Sequence, residues 1–309
     1  MPETKTRFPE TTAREKPTVG SYGDPDAMFV RTAALVSPPV DALTRIQTWG
    51  ARTAAAGVVR DGDVIASDGP RDAVLRWASV TKLVTALAAL VAAEEGTIDL
   101  DEPAGPEGST VRHLLAHASG LPFEPGAPTS RPERRRIYSN VGFEVLAEHV
   151  AAAAGMPFEQ YLAEGILRPL GMAAELRGSP AADLHGSLDD LLRLAIELQR
   201  PTLVAPETLD EATSVQFPGL VGVVPDLGRF DPNDWGLGFE LRDAKSPHWT
   251  GEHNSPRTFG HFGGSGTFLW VDPDAGLALG CLTDREFGPW ALEVWPPLAD
   301  AVLAEASNA

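Results

Sequence analysis

Two pairs of β-prone runs lie near opposite ends of the chain, with a largely helical stretch between them. Residues 54–60 and 63–67 are separated by Asp61-Gly62. An Asp-Gly step between two such runs is a strong hairpin signal. Residues 267–271 and 277–282 flank Asp272-Pro273-Asp274-Ala275-Gly276 and read as a second hairpin. Trp235 to Leu241 reads as a further strand, and Thr258 to Phe262 as another. The pattern predicts an α+β fold, an antiparallel sheet built from both halves of the chain, flanked by helices and carrying an inserted helical lobe. The expected division is one unit over 28–309. Its α/β lobe comes from about 28–96 and 235–309, and its mainly helical lobe from about 97–234. Residues 1–27, rich in Pro, Thr, Glu and Lys, read as a flexible leader.

Helices are placed by apolar spacing and by caps. Val40, Leu43, Ile46 and Trp49 share a stripe, predicting a helix from Val40 to about Trp49. The run from Leu83 to Ala93 is too short to span a bilayer and reads as a core helix ending near Gly96. Thr110 can cap a short helix over Val111 to Ala118. Further helices are expected from Asn140 to Ala154, Pro157 to Leu167, Ser187 to Gln199, Pro206 to Thr213 and over 287–306. Residues 214–235 read as loops and short extended pieces.

The formal net charge of −18 opposes binding to nucleic acid or to an anionic membrane, so neither is an expected partner. Cys281 is the single cysteine, which rules out an intramolecular disulfide and a cysteine metal cluster. Its apolar surroundings predict a small buried hydrophobe. Met1 to Gly20 is polar and shows no secretory signal, so a cytoplasmic protein is expected.

Three short stretches carry chemistry. Ser79 precedes the core helix and Lys82 follows three residues later, on the same helical face. There a hydroxyl and an amine can meet at a helix N-terminus, which favours a developing alkoxide. A capping serine alone would match the same spacing. Tyr138-Ser139-Asn140 directly precedes a helix, and by itself it reads as a cap at Asn140 with Tyr138 packed. Gly260-His261-Phe262-Gly263-Gly264-Ser265-Gly266 precedes the last hairpin, and by itself it is a glycine-rich connection needing unusual backbone angles.

In this order the three stretches resemble the serine β-lactamase and penicillin-recognising group. The likeness is to its class C branch of β-lactamases, D-alanyl carboxypeptidases and aminopeptidases, and esterases of the same fold. The stretch from His113 to Pro122, Trp235-Gly236-Leu237-Gly238-Phe239 and Leu170-Gly171-Met172 are similar to further motifs of that group, so the resemblance spans about 54–283. It implies a serine hydrolase that forms an acyl-enzyme on a small-molecule ester or amide, without metal or cofactor. By position, Ser79 would be the nucleophile, and Lys82 and Tyr138 would take and return its proton; which of the two is the base stays open. Asn140 would hold the Lys82 amine or the substrate. The N–H groups of Ser79 and Gly264 would form an oxyanion hole, with Gly264 bare so that the backbone can approach closely. His261 would line the site and could hydrogen-bond Tyr138 or the substrate.

The departure is His261-Phe262-Gly263, where class C β-lactamases carry Lys-Thr-Gly. With no export signal, this favours a carboxylesterase, with a weak β-lactamase or a D-amino-acid peptidase as the alternative and an idle binding module as a third. The short span from Lys82 to Tyr138 predicts an open cleft. Ser265 fits no nucleophile elbow. His113 and His117 are expected to pack and anchor loops rather than bind metal. Arg131, Arg134, Arg135 and Arg136 form the one basic cluster and read as a solvated loop, or as an attractor for an acidic substrate. Trp270, Trp290 and Trp295 are expected in the core.

Overall fold

The computed structural model describes residues 40–307, so the predicted leader 1–27 lies outside the described residues. The described residues belong to one unit. The first element, Asp41–Thr48, is a 3-10 helix. A repeat of three matches that geometry, in which i and i+3 eclipse. Val40, Leu43, Ile46 and Trp49 are accordingly all buried.

Next come β1 (Ala54–Arg60) and β2 (Asp63–Asp68), joined at Asp61 and Gly62, both at positive φ. β3 (Leu75–Arg76) leads through a 3-10 turn at Ala78–Val80 into α1 (Thr81–Glu94). The inserted region carries α2 (Val111–Leu115), β4 (Arg136–Ile137), α3 (Asn140–Ala154) and α4 (Phe158–Leu162). It continues with a π turn at Ala163–Leu167, β5 (Glu175–Leu176), β6 (Leu184–Gly186), α5 (Leu188–Gln199) and α6 (Pro206–Ala212). β7 (Gly222–Val224), β8 (Gly228–Phe230), β9 (Glu240–Leu241), β10 (Phe259–Gly263), β11 (Thr267–Asp272), β12 (Leu277–Thr283) and α7 (Pro289–Ser307) follow.

The main sheet runs β2-β1-β12-β11-β10-β9. The early and late hairpins join at β1 and β12, antiparallel from Ala54 opposite Thr283 to Arg60 opposite Leu277. Side chains alternate across the sheet, as a period of two demands. Ala55, Val59, Leu269, Val271, Ala278 and Leu282 enter the core that contains α1 and α5. Val58, Phe268, Trp270, Leu279 and Cys281 enter the core under α7 and the first 3-10 helix. Cys281 and Trp295 are buried as expected, whereas Trp290 is only partly covered. α1 is mostly apolar and buried on nearly every side, the behaviour of a central helix. Among the described residues no helix is long and apolar enough to cross a membrane.

The expected strand from Trp235 to Leu241 is mostly irregular, and only Glu240–Leu241 pairs with β10. Gly238 sits at φ +87 with its N–H bonded to Leu115 O, and a Cβ there would lie 2.2 Å from the Ala86 Cβ. The stretch is spent on packing against α1 rather than on a ladder.

Candidate active site

Ser79 lies in the 3-10 turn that opens α1, partly exposed, while its neighbours Trp77, Ala78 and Val80 are buried. Ala78 holds a left-handed φ of +45. A non-glycine residue there is strained, and such strain gathers at functional sites. Trp77 N–H donates to Leu184 O of β6, which ties the turn to the inserted region.

Lys82 is 0% exposed. Its Nζ donates to Asn140 Oδ1 at 2.6 Å and to Ala181 O at 2.9 Å, and sits 4.7 Å from the centre of the Tyr138 ring. Burial lowers its pKa from 10.5 to about 7, against a weaker upward pull from Glu144. A neutral lysine amine keeps two N–H donors and a lone pair. Both donors then have acceptors, and the lone pair is left over.

The Tyr138 segment is fixed from behind. Ser139, not Asn140, is the cap of α3: its Oγ accepts from Gly142 N–H at 2.8 Å. Asn140, freed from capping, faces Lys82 instead. His117 Nδ1 accepts from Ser139 N–H at 3.1 Å, and its ring meets those of Tyr138, Phe143 and Trp235. Burial drives His117 well below the ordinary histidine range, so it is neutral. His113 Nδ1 accepts from Thr110 N–H and its Nε2 meets Glu133, so both histidines anchor loops.

Tyr138 is nearly fully buried and lies 3.3 Å through its hydroxyl from His261 Nε2. Its pKa is raised, chiefly by burial, with the Ser79 side chain opposing the rise. His261 Nδ1 is 2.5 Å from Phe262 O, and a carbonyl only accepts, so Nδ1 carries the proton. Nε2 therefore accepts from the Tyr138 hydroxyl. Burial lowers the His261 pKa to about 3, with Lys82 acting in the same direction. The position thus presents a neutral ring and no cation.

β10 brings the third stretch alongside the turn. A Cβ on Gly263 would lie 2.5 Å from Trp77 O and 3.1 Å from Ser79 N. Gly264 has nothing within 4 Å of such an atom. The close approach expected at Gly264 is therefore made by Gly263, because the strand's last paired residue abuts the turn and the next one faces open space. Among the described residues, no protein acceptor takes the N–H of Ser79 or of Gly264.

The seven residues expected at the site thus form one group, linked through Lys82, Asn140, Tyr138 and His261 on one side of Ser79 and through Gly263 on the other. Others were not legible there. Ala181 contributes only a carbonyl, which leaves no mark in a sequence. Arg136, placed by the sequence in a solvated cluster, is 2% exposed and donates to the carbonyls of Asn233, Ala116, Gln216 and Phe217. Burial lowers its pKa to about 10, with Asp234 pulling back up. Ser265 donates to Arg76 O and takes no part in the cluster. A cavity of about 590 Å³ opens beside Tyr138. A larger one of about 640 Å³ lies by the turns at Asp61 and Asp272 and contains none of the seven. Among the described residues no group of three or more His, Cys, Asp or Glu is arranged to hold a metal.

Residues 40–304 match the family described as beta-lactamase. A solved β-lactamase from Mycobacterium bovis is 53% identical with a TM-score of 0.85, covering 86% of this chain and 99% of that one. EstCE1, described as a hydrolase with promiscuous acyltransferase activity, is 18% identical with a TM-score of 0.70, over 85% of this chain and 99% of that one, and so shares the fold. The D-alanyl-D-alanine-carboxypeptidase/endopeptidase AmpH of Escherichia coli K12 is 33% identical over 138 residues, 33% of this chain and 36% of that protein. The chain therefore spans about a third of that curated relative's length.

Proposed function

The chain belongs to the β-lactamase family, within the serine hydrolase superfamily of that fold, and on that footing we propose that it is a carboxylesterase working through an acyl-enzyme at Ser79. Lys82 is the base in this reading. Near neutrality about half of its amine is unprotonated, and the two donors that form retains are already occupied, which leaves a lone pair to take the Ser79 proton. Tyr138 stays protonated because burial raises its pKa, so it serves as a proton donor. Ser79 Oγ attacks the ester carbonyl carbon and its proton passes to Lys82 Nζ. The oxyanion is received between the free N–H groups of Ser79 and Gly264; one such donor is worth about 3–4 kcal/mol. The C–O bond then breaks, the leaving oxygen takes the Tyr138 proton, and Lys82 returns a proton to Tyr138. Water attacks the acyl-enzyme by the same steps in reverse order and releases the acid.

The observation that carries the choice of an ester is His261. It is neutral and tied to Phe262 O, so the β10 position supplies no cation where Lys-Thr-Gly would place its lysine. Slow β-lactam turnover is the second reading, favoured by the 53% identity to the M. bovis protein. A fluorophosphonate probe is expected to add to Ser79 and fail on Ser79→Ala. Short-chain p-nitrophenyl esters are expected to be cleaved faster than a chromogenic cephalosporin. The reverse order would replace the ester reading, and an unlabelled Ser79 in folded protein would favour a binding module.

A further inference from the structure

The cavity beside Tyr138 has a floor and an electrostatic end that the chemistry above does not use. β4, β7 and β8 form a small sheet in which Ile137 pairs with Val223 and Val223 with Arg229. These three residues form one cross-strand row and all line the cavity. Phe123 and Pro225 complete its apolar wall. Phe123 is 43% exposed and Val223 55%, although large apolar side chains are usually covered. Phe123 also stacks on Tyr138 at 5.8 Å, so the apolar surface reaches Tyr138, the one member of the seven that lines the cavity.

Two basic residues line the cavity, Arg229 on β8 at the far end of the row and Arg135 on the β4 side, two residues before Ile137. Both are exposed. Arg135 has no ion-pair partner among the described residues and makes one 3.4 Å contact, to Thr129 O. Arg229 is 3.9 Å from Asp231, with both side chains about two-thirds or more exposed, a loose pair worth little. In a chain of net charge −18 this is an isolated positive site. Two strand spacings, roughly 10 Å, separate Ile137 from Arg229 along the row.

We propose that this trench binds the alcohol portion of the substrate, and that the alcohol is apolar with an anionic end held by Arg135 and Arg229. The assignment to the alcohol rests on the ester reading above. Tyr138 protonates the leaving oxygen in that reaction, so the leaving group lies beside Tyr138, where the trench begins. The apolar row then takes the body of the alcohol, and the guanidinium groups take its carboxylate through charge-assisted hydrogen bonds.

The test uses esters that share one acyl group and differ only in the alcohol: the butyryl ester of 3-(4-hydroxyphenyl)propanoate, its methyl ester at the carboxyl, and an analogue bearing an ammonium. The anionic ester is expected to show about tenfold higher kcat/KM than the neutral one at low salt, falling as salt screens the pair. Deacylation is common to all three, so kcat is expected to converge where it limits. Arg135→Ala/Arg229→Ala is expected to abolish the preference, and Arg135→Glu/Arg229→Glu to move it toward the cationic ester, both melting near the parent temperature. Equal kcat/KM for anionic and neutral esters, or a preference that survives both double variants, overturns the trench assignment and leaves the esterase standing. Failure to cleave any ester while Ser79 still takes the fluorophosphonate label overturns the ester reading and the trench assignment with it.

Discussion

Lys82 and Lys245 are the only lysines among the described residues, and both are buried. Their surroundings differ. Lys245 lies 3.8 Å from the Glu240 carboxylate and donates to Asp234 O and Leu241 O. Glu240 also takes hydrogen bonds from His248 and Trp249. Burial would raise the Glu240 pKa, but His248, Lys245 and Trp249 outweigh it and hold it at about 2. Burial lowers Lys245, and Glu240, Asp243 and Asp234 pull it back up. Lys82 has two neutral acceptors and no carboxylate within ion-pair distance, only the weaker field of Glu144. A buried amine beside a carboxylate is held as a charge that ties loops together. A buried amine facing only neutral oxygens gives up its proton near neutrality, which is what a base requires.

Substitution of each lysine is the strongest challenge to that contrast. Lys82→Met is expected to lower kcat/KM by about 10²–10⁴-fold while the protein still melts cooperatively. Lys245→Met is expected to cost about 3 kcal/mol of stability, because it removes one partner of a buried ion pair, while folded protein still labels at Ser79. If urea unfolding and esterase assays gave the opposite assignment, the two lysines would have been misread.

Titration sharpens it. Activity is expected to rise with pH through an acid limb near 7, as Lys82 loses its proton. For stability, the folded pKa of Lys82 lies below its unfolded 10.5, so between about 7 and 10.5 the unfolded chain binds more protons. Stability therefore rises with pH across that window, and Lys82→Met should flatten the rise. Glu240 has the carboxylate pattern. Its contribution is present above 4.5 and is lost as pH falls toward about 2. Unfolding midpoints measured across both ranges, in each variant, check the two signs.

The smallest effects concern two neighbouring glycines, Gly263 at the end of β10 and Gly264 just beyond it. Gly263→Ala places a methyl against the Trp77 carbonyl and is expected to cost about 1–3 kcal/mol, with lost labelling of Ser79 as the turn shifts. Gly264→Ala meets open space and is expected to stay within about 0.5 kcal/mol of the parent by calorimetry.

Much of the fold was legible because its signals are local. The Asp61-Gly62 hairpin, the Asn140–Ala154 helix and the mostly apolar α1 follow from turn chemistry and periodicity, and the structure has each of them. Where one residue had two plausible partners, distant segments made the choice. Asn140 by itself suits a cap, yet Ser139 caps and Asn140 meets Lys82, as the family resemblance implied. Arg136 resembles its three arginine neighbours, but β4 alternation turns it inward onto four carbonyls. The stretch at 235–241 has strand composition, but packing against Ala86 overrides it.

The sequence by itself determined which groups are available: a hydroxyl and an amine one helical turn apart, a phenol before a helix, and a histidine in a glycine-rich run. Those are properties of residue type and short spacing. Only the tertiary structure decided their protonation. Whether Lys82 or Tyr138 is the base depends on burial, which lowers the lysine and raises the tyrosine, and on which carbonyls and carboxylates the folded chain sets beside them. Those neighbours arrive from segments far away in the chain, so no local pattern encodes them.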